Sequence, residues 1–140
     1  MCRQRSPAEP EHDATEGVVR HLQGLFVTGG LDTYGQPASD EGADFGLHGR
    51  ATSLAARGLS WDADWDGDDY RLWVRGKIAE TAALGPHVVM TREISTTMGA
   101  SHFTIRDTVE NRTHYPIEHM MLYHFTIGYP VLSESSRLLM

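Results

Sequence analysis

From Tyr70 onward the chain alternates apolar and polar residues with a period of two, and this pattern constrains the fold more than any other feature. Tyr70, Leu72 and Val74 alternate with Arg71, Trp73 and Arg75. Val88 to Ser95 follows, then a turn at Met98-Gly99-Ala100-Ser101. Phe103, Ile105 and Val109 next alternate with Thr104, Arg106, Thr108 and Glu110, and Asn111 to His114 turns the chain again. Successive strand side chains point to opposite faces, so such segments bury one face and wet the other. Strand after strand with short turns predicts antiparallel sheet, hence an all-β sandwich or barrel. No internal repeat, heptad or low-complexity block interrupts it.

The last of these segments, Met120 to Pro130, is the most apolar and aromatic run in the chain. Its Tyr, Phe and Ile residues suit a pleated strand, with Gly128 and Pro130 expected to end it. Alternation puts Met120, Leu122, His124 and Thr126 on one face, and His119, Met121, Tyr123, Phe125 and Ile127 on the other. His124 therefore points toward either a core or the floor of a pocket.

The N-terminal half is less regular. Residues 1–16 are dominated by proline and charge and are expected to form a disordered tail, leaving 17–140 as one domain. Leu22, Leu25, Phe26 and Val27 predict a short strand stopped by Gly29-Gly30. Asp32 to Phe45 reads as a long loop, a kind that is often functional inside a compact domain. It leads into Gly46-Leu47-His48-Gly49-Arg50, and Thr52 to Arg57 reads as a turn of helix or an irregular link. Trp61 to Asp69 carries five aspartates around two tryptophans. It lacks the ligand spacing of a calcium loop and reads better as a solvated hairpin tip.

Composition excludes several classes of partner. Apolar residues make up 40% and charged residues 22% of 140 residues, suiting one soluble domain with a modest core. The formal charge of -7, with no Lys/Arg cluster, argues against nucleic acid and against an anionic membrane surface. A neutral solute fits better. The single cysteine, Cys2, makes neither an internal disulfide nor a thiolate metal cage. With no apolar leader in the first residues, a cytoplasmic location is expected.

Eight histidines in 140 residues raise the question of a metal site. His114, His119 and His124 recur every five residues, a step that sends His119 and His124 to opposite strand faces. There is no His-x-His pair and no His-Glu-x-x-His, so no metal site is assigned, although distant histidines can converge in space. No Gly-x-Ser-x-Gly elbow and no phosphate-binding glycine loop is present. Acid–base chemistry by imidazole is what remains. On residue chemistry alone His124 is either a satisfied core histidine or a catalyst. His48, set between glycines, is either a turn residue or a ligand-facing group.

Three segments carry a resemblance: Phe26-Val27-Thr28-Gly29-Gly30-Leu31-Asp32, Gly46-Leu47-His48-Gly49-Arg50, and Leu122-Tyr123-His124-Phe125-Thr126-Ile127-Gly128-Tyr129-Pro130. In their order and spacing they resemble the aldose 1-epimerase-like proteins of the galactose-mutarotase-like superfamily, in an uncharacterised DUF4432-type branch. Thr91 to Thr96 and Thr104 to Val109 are similar to the central strands of that family. The resemblance implies an antiparallel β-supersandwich whose concave sheet face binds a monosaccharide and interconverts its anomers. A base takes the C1 hydroxyl proton, an acid protonates the ring oxygen, and the opened aldehyde recloses on its other face. Only protons move, so no cofactor is implied.

By the same resemblance His124 is the catalytic general acid, and His48 hydrogen-bonds the sugar. Arg50 and Asp32 are implied as further substrate-binding residues, with Tyr129 or Trp61 as an aromatic wall or a core residue. Thr126 stands where the family usually has Asn. The superfamily's general base, a glutamate in the closing strands, has no counterpart here; neither Glu118 nor Glu134 occupies its place. The chain is accordingly expected to be a partial sandwich with impaired activity, whose open sheet edges allow self-association. The alternative is a non-catalytic carbohydrate-binding β-sandwich domain.

Overall fold

The computed structural model describes residues 24–40 and 43–139, so the tail expected over 1–16 lies outside the described residues. The fold is all-β and antiparallel, as the alternation requires. Four long strands form a meander: β4 (Arg57–Asp66), β5 (Asp69–Thr81), β6 (His87–Thr97) and β7 (Thr104–Asn111), hydrogen-bonded in that order. The acidic stretch after Trp61 forms the end of the β4–β5 hairpin, paired from Asp62 to Asp66 and turning at Gly67-Asp68, with Gly67 at φ 66°. A second layer is the antiparallel pair β1 (Phe26–Leu31) and β8 (Met120–Phe125). Between β1 and β4 lie a small hairpin, β2 (Ala38–Asp40) with β3 (Ala43–Phe45), and one 3-10 turn at Ala51–Ser53. Among the described residues no helix is long and apolar enough to cross a membrane.

Register decides which face of the meander is inside. Val74 pairs with Ile94, Gly76 with Arg92, Ile78 with Met90 and Glu80 with Val88. Directly opposed residues project to the same side, so these eight share one face. At one end of that face Ile78, Val88 and Met90 bury against Leu31 and Ala51 from the second layer, with Leu54, Val109, Ile117 and Met121 packed around them. Leu31 is fully buried, which makes it the keystone of a small core. The opposite face is wet: Glu93 there accepts hydrogen bonds from Arg71 at 2.7 Å and from the Arg75 Nε at 3.1 Å.

Polar contacts tie the two layers beside this core. Arg92 of β6 donates to both oxygens of Asp107 on β7, at 2.8 and 2.6 Å, and to the Thr28 hydroxyl on β1 at 2.7 Å. The Tyr123 hydroxyl of β8 donates to Asp107 at 2.8 Å. Burial, and secondarily the Asp107 carboxylate, raises the Tyr123 pKa above its usual range. Phe26 stacks on Tyr123 at 5.6 Å and lies 4.8 Å from the Arg92 guanidinium.

The glycines at 29 and 30 do not stop the first strand; β1 runs through them to Leu31. The reason is proximity. A Cβ on Gly30 would sit 2.3 Å from the Met120 carbonyl oxygen, and one on Gly29 would sit 2.7 Å from that of His48. Absence of a side chain is thus the condition for the neighbouring backbones to approach. At the other end of the sequence, regular pairing of β8 stops at Phe125, short of Gly128, though the Thr126 N–H still donates to the Leu25 carbonyl at 2.9 Å. The expected loop from Asp32 to Phe45 contains the short β2–β3 hairpin.

Candidate functional site

The segment from Gly46 to Arg50 lies along β1 because glycines on both sides permit it. The Gly30 N–H donates to the His48 carbonyl at 2.8 Å, and Gly30 and Gly49 form an isolated parallel bridge. Gly49 has φ 76°, and a Cβ there would come within 2.5 Å of the Thr33 oxygen and 2.6 Å of the Gly30 oxygen. His48 itself takes φ 57°, a left-handed conformation that histidine tolerates better than most residues. Its N–H donates to the Gly35 carbonyl at 2.9 Å, and its ring stacks on Tyr34 at 5.0 Å and 13°. The ring Nδ1 is buried and has no hydrogen-bond partner among the described residues. A Gly49→Ala variant is therefore expected to lose at least about 1–3 kcal/mol, the cost of a strained backbone alone. Urea denaturation measures the loss, and the His48 ring resonances should move with it.

His124 stands on β8 directly opposite Val27, and Leu122 stands opposite Gly29. A Cβ on Gly29 would touch both the His48 Cβ, at 3.2 Å, and the Leu122 Cβ, at 3.3 Å. His48 therefore covers the face from which Leu122 and, by alternation, His124 project. The β1 positions beside which they lie, residues 29 and 27, are two steps apart, about 7 Å along the strand. His124 is exposed rather than sealed in the core. No carboxylate among the described residues pairs with it.

Asp32 and Arg50 gather at the far end of β1 around a residue that sequence reasoning missed. Glu80, on the inward face of β5, is only 3% exposed. Its Oε1 accepts the Leu31 N–H and its Oε2 accepts the Asp32 N–H, each at 3.1 Å. The Asp32 side chain hydrogen-bonds the same carboxyl group, and the charge of Arg50 is felt there. Burial above all, then the negative charge of Asp32, pushes the Glu80 pKa up to about 7; Arg50 and the Leu31 N–H oppose the shift. On the other side of the same peptide, the His119 Nδ1–H donates to the Leu31 carbonyl at 2.8 Å. His119 thus precedes β8 and binds backbone from just outside the strand.

β1 serves as a ruler for the whole arrangement. His124 lies level with residue 27, His48 with residues 29 and 30, and the Glu80 cluster with residues 31 and 32. Leu31, the last residue of β1, is four steps, roughly 13 Å, along the strand from the level of His124, and Asp32 follows it into the loop. The structure brings Asp32 and Arg50 together, places His48 between, and leaves His124 at the opposite end. Two hollows of about 470 and 600 Å³ open on the meander face, walled by residues such as Val74 and Ile94; none of these four candidates lines either one. Among the described residues no group of three or more His, Cys, Asp or Glu side chains is placed to hold a metal ion. Glu80 had a signal in the sequence, since it continues the inward stripe Leu72, Val74, Gly76, Ile78 by the same step of two. His119 had none, because its partner is a backbone carbonyl 88 residues away.

Residues 2–140 match the model of a protein family described as a domain of unknown function (DUF4432), and the chain belongs to that family. No curated protein matches it, and no solved structure does.

Proposed function

We propose that this member of a family described only by its unknown function is an aldose 1-epimerase-like protein, binding a monosaccharide at the β8 side of the β1–β8 pair, where His124 is exposed. The observation that carries this reading is the placement of His48 on the face from which His124 projects. An offset of about 7 Å is one that a single pyranose ring with its hydroxyls can bridge. In this reading His124, as imidazolium, gives its proton to the ring oxygen while the C1–oxygen bond breaks and C1 becomes an aldehyde. A base removes the C1 hydroxyl proton in the same step. Rotation about C1–C2 and closure by the reverse transfers yield the other anomer, with no net change in protons. An imidazole suits this role because its ordinary pKa lies near cellular pH, so it both donates and recovers a proton. His48 hydrogen-bonds a hydroxyl, and the long side chain of Arg50, one residue beyond Gly49, serves a second, whereas Asp32 is held at Glu80 beyond the reach of a ring seated at His124.

A second reading is favoured by a specific observation. Asp32, in the loop beyond the end of β1 and held at Glu80, stands too far from the level of His124 to take the C1 proton while His124 serves the adjacent ring oxygen. That separation suits a carbohydrate-binding domain without catalysis. NMR exchange spectroscopy on a panel of free aldoses separates the two. The enzymatic reading expects faster anomer exchange with at least one sugar and a loss of about 10²–10⁴-fold in His124→Ala. Sugar-induced shifts at His48 with exchange at the uncatalysed rate would leave only the binding domain. Neither shifts nor exchange with any aldose would overturn both.

A further inference from the structure

We infer that Glu80 is a positioning residue whose ionisation sets how the His48–Arg50 segment lies on β1, so that occupation of this face is linked to proton uptake. The ligand, an uncharged monosaccharide, is taken from the reading above; the coupling within the protein stands without it.

Three observations converge on Glu80. Its two carboxyl oxygens hold the two consecutive N–H groups of Leu31 and Asp32, which end β1 and begin the following loop. Its carboxyl group hydrogen-bonds the Asp32 carboxyl in a nearly dry setting, where two negative charges cannot both be carried cheaply. Arg50, whose charge acts on this pair, is separated from His48 by Gly49 alone. Gly49 is in turn wedged against the Gly30 and Thr33 carbonyls, so little slack separates the carboxyl pair from the imidazole.

A purely structural glutamate would need only the two N–H bonds. The additional carboxyl partner makes ionisation of this one costly. While Glu80 holds its proton it adds no charge to the core. Loss of that proton puts a negative charge there. The cation able to answer it is Arg50, drawn toward the pair and away from solvent-side hydroxyls. Other groups around Glu80 bear on this balance. His119 donates to the Leu31 carbonyl from the segment before β8. From β6, Val88 is the paired neighbour and carries no charge, while His87 pairs with Thr81 on the other face of the sheet. Glu80 fell outside the sugar-binding assignment because it touches no exposed surface; its effect is exerted through Asp32 and Arg50.

The test uses the intact chain without any sugar. Carbon-detected NMR of the Glu80 carboxyl should show an inflection near pH 7, the value to which the group is pushed. The Leu31 and Gly49 amides and the Arg50 guanidinium N–H should follow the same inflection. In Glu80→Gln these three reporters should lose it, while inflections from the histidines persist. Should the variant fail to fold, the wild type decides, by whether the Leu31, Gly49 and Arg50 signals share the inflection of the Glu80 carboxyl. Titration in the ordinary carboxylate range, or a Glu80 inflection that Gly49 and Arg50 ignore, overturns the inference and leaves sugar binding untouched. Sugar titrations then read the linkage: affinity should be at least about fivefold weaker at alkaline than at acidic pH in the wild type, and this dependence should shrink in Glu80→Gln to what the histidines alone contribute. Equal pH dependence in both proteins overturns the linkage. The coupled inflection without binding of any aldose supports the positioning role and overturns the sugar reading instead.

Discussion

Replacing Asp107 with alanine is expected to cost about 3–5 kcal/mol, the penalty for stripping a buried charge of its partner, and to loosen the β1–β8 pair from the meander. The Asp107 side chain is 4% exposed and that of Arg92 21%, so neither is rescued by solvent. One carboxylate holds the Arg92 guanidinium by two bonds and also accepts the Tyr123 hydroxyl, linking β7, β6 and β8. Arg92 extends the link to β1 through the Thr28 hydroxyl and the Phe26 ring. Removing the carboxylate leaves a half-buried guanidinium and an orphaned phenol, which is why the effect exceeds that of an ordinary hydrogen bond. Tyr123→Phe, which deletes one bond and no charge, should cost only about 1 kcal/mol. The double variant should fall short of the sum, because both changes remove the same contact. Urea denaturation gives these values. Hydrogen exchange should show the amides of β1 and β8 losing protection before those of β5 and β6. A loss under about 1 kcal/mol in Asp107→Ala would mean that the apolar core around Leu31 alone holds the ribbon in place.

The meander was legible in the sequence because each strand pairs with its neighbour along the chain through a short turn, so local alternation and global burial agree. Leu72 and Val74 against Arg71 and Arg75 announce both the strand and its face. The second layer was harder. β1 and β8 are joined across almost the whole chain, and the residues that make β1 possible, Gly29 and Gly30, read locally as a stop. Only the presence of His48 on one side and Met120 on the other turns those glycines into a requirement. The same holds for the candidate site. His48 stood out through its flanking glycines, and the Met120–Phe125 strand through its apolar run. Their relation to each other depends on the register of Gly29 with Leu122, which no local pattern encodes. Glu80 meets the Asp32 N–H across 48 residues of sequence. Its carboxyl at an inward position was a conflict that alternation could expose, but Lys77 and the side-chain-free Gly76 blur the stripe leading to it.

Stability is also expected to fall by about 2–3 kcal/mol as the pH rises from about 5 to about 8, through Glu80 alone. The sign follows from the direction of its shift. The folded-state pKa is raised from 4.5 to about 7, so the folded protein holds the proton more tightly than the unfolded chain. The stabilisation is full below 4.5 and is lost as the pH climbs through about 7. Glu93 works the other way. Its hydrogen bond from Arg75 lowers its pKa against the opposing effect of burial, helped by the charges of Arg75 and Arg71. Its contribution is present above the ordinary carboxylate value of 4.5 and disappears only in more acidic solution. The two windows do not overlap. Glu80→Gln should have a lower absolute stability, since an amide nitrogen cannot accept one of the two backbone N–H groups, at about 1–3 kcal/mol for the group left unsatisfied. Its stability should nevertheless be flatter across the neutral range than that of the wild type. Parallel urea titrations at several pH values measure the difference in slope. Identical slopes would assign the whole pH dependence to the histidines and return Glu80 to the role of a plain backbone clamp. A steeper wild-type slope would show that the protein keeps a carboxyl group whose ionisation is destabilising where β1 passes into the loop that carries Asp32.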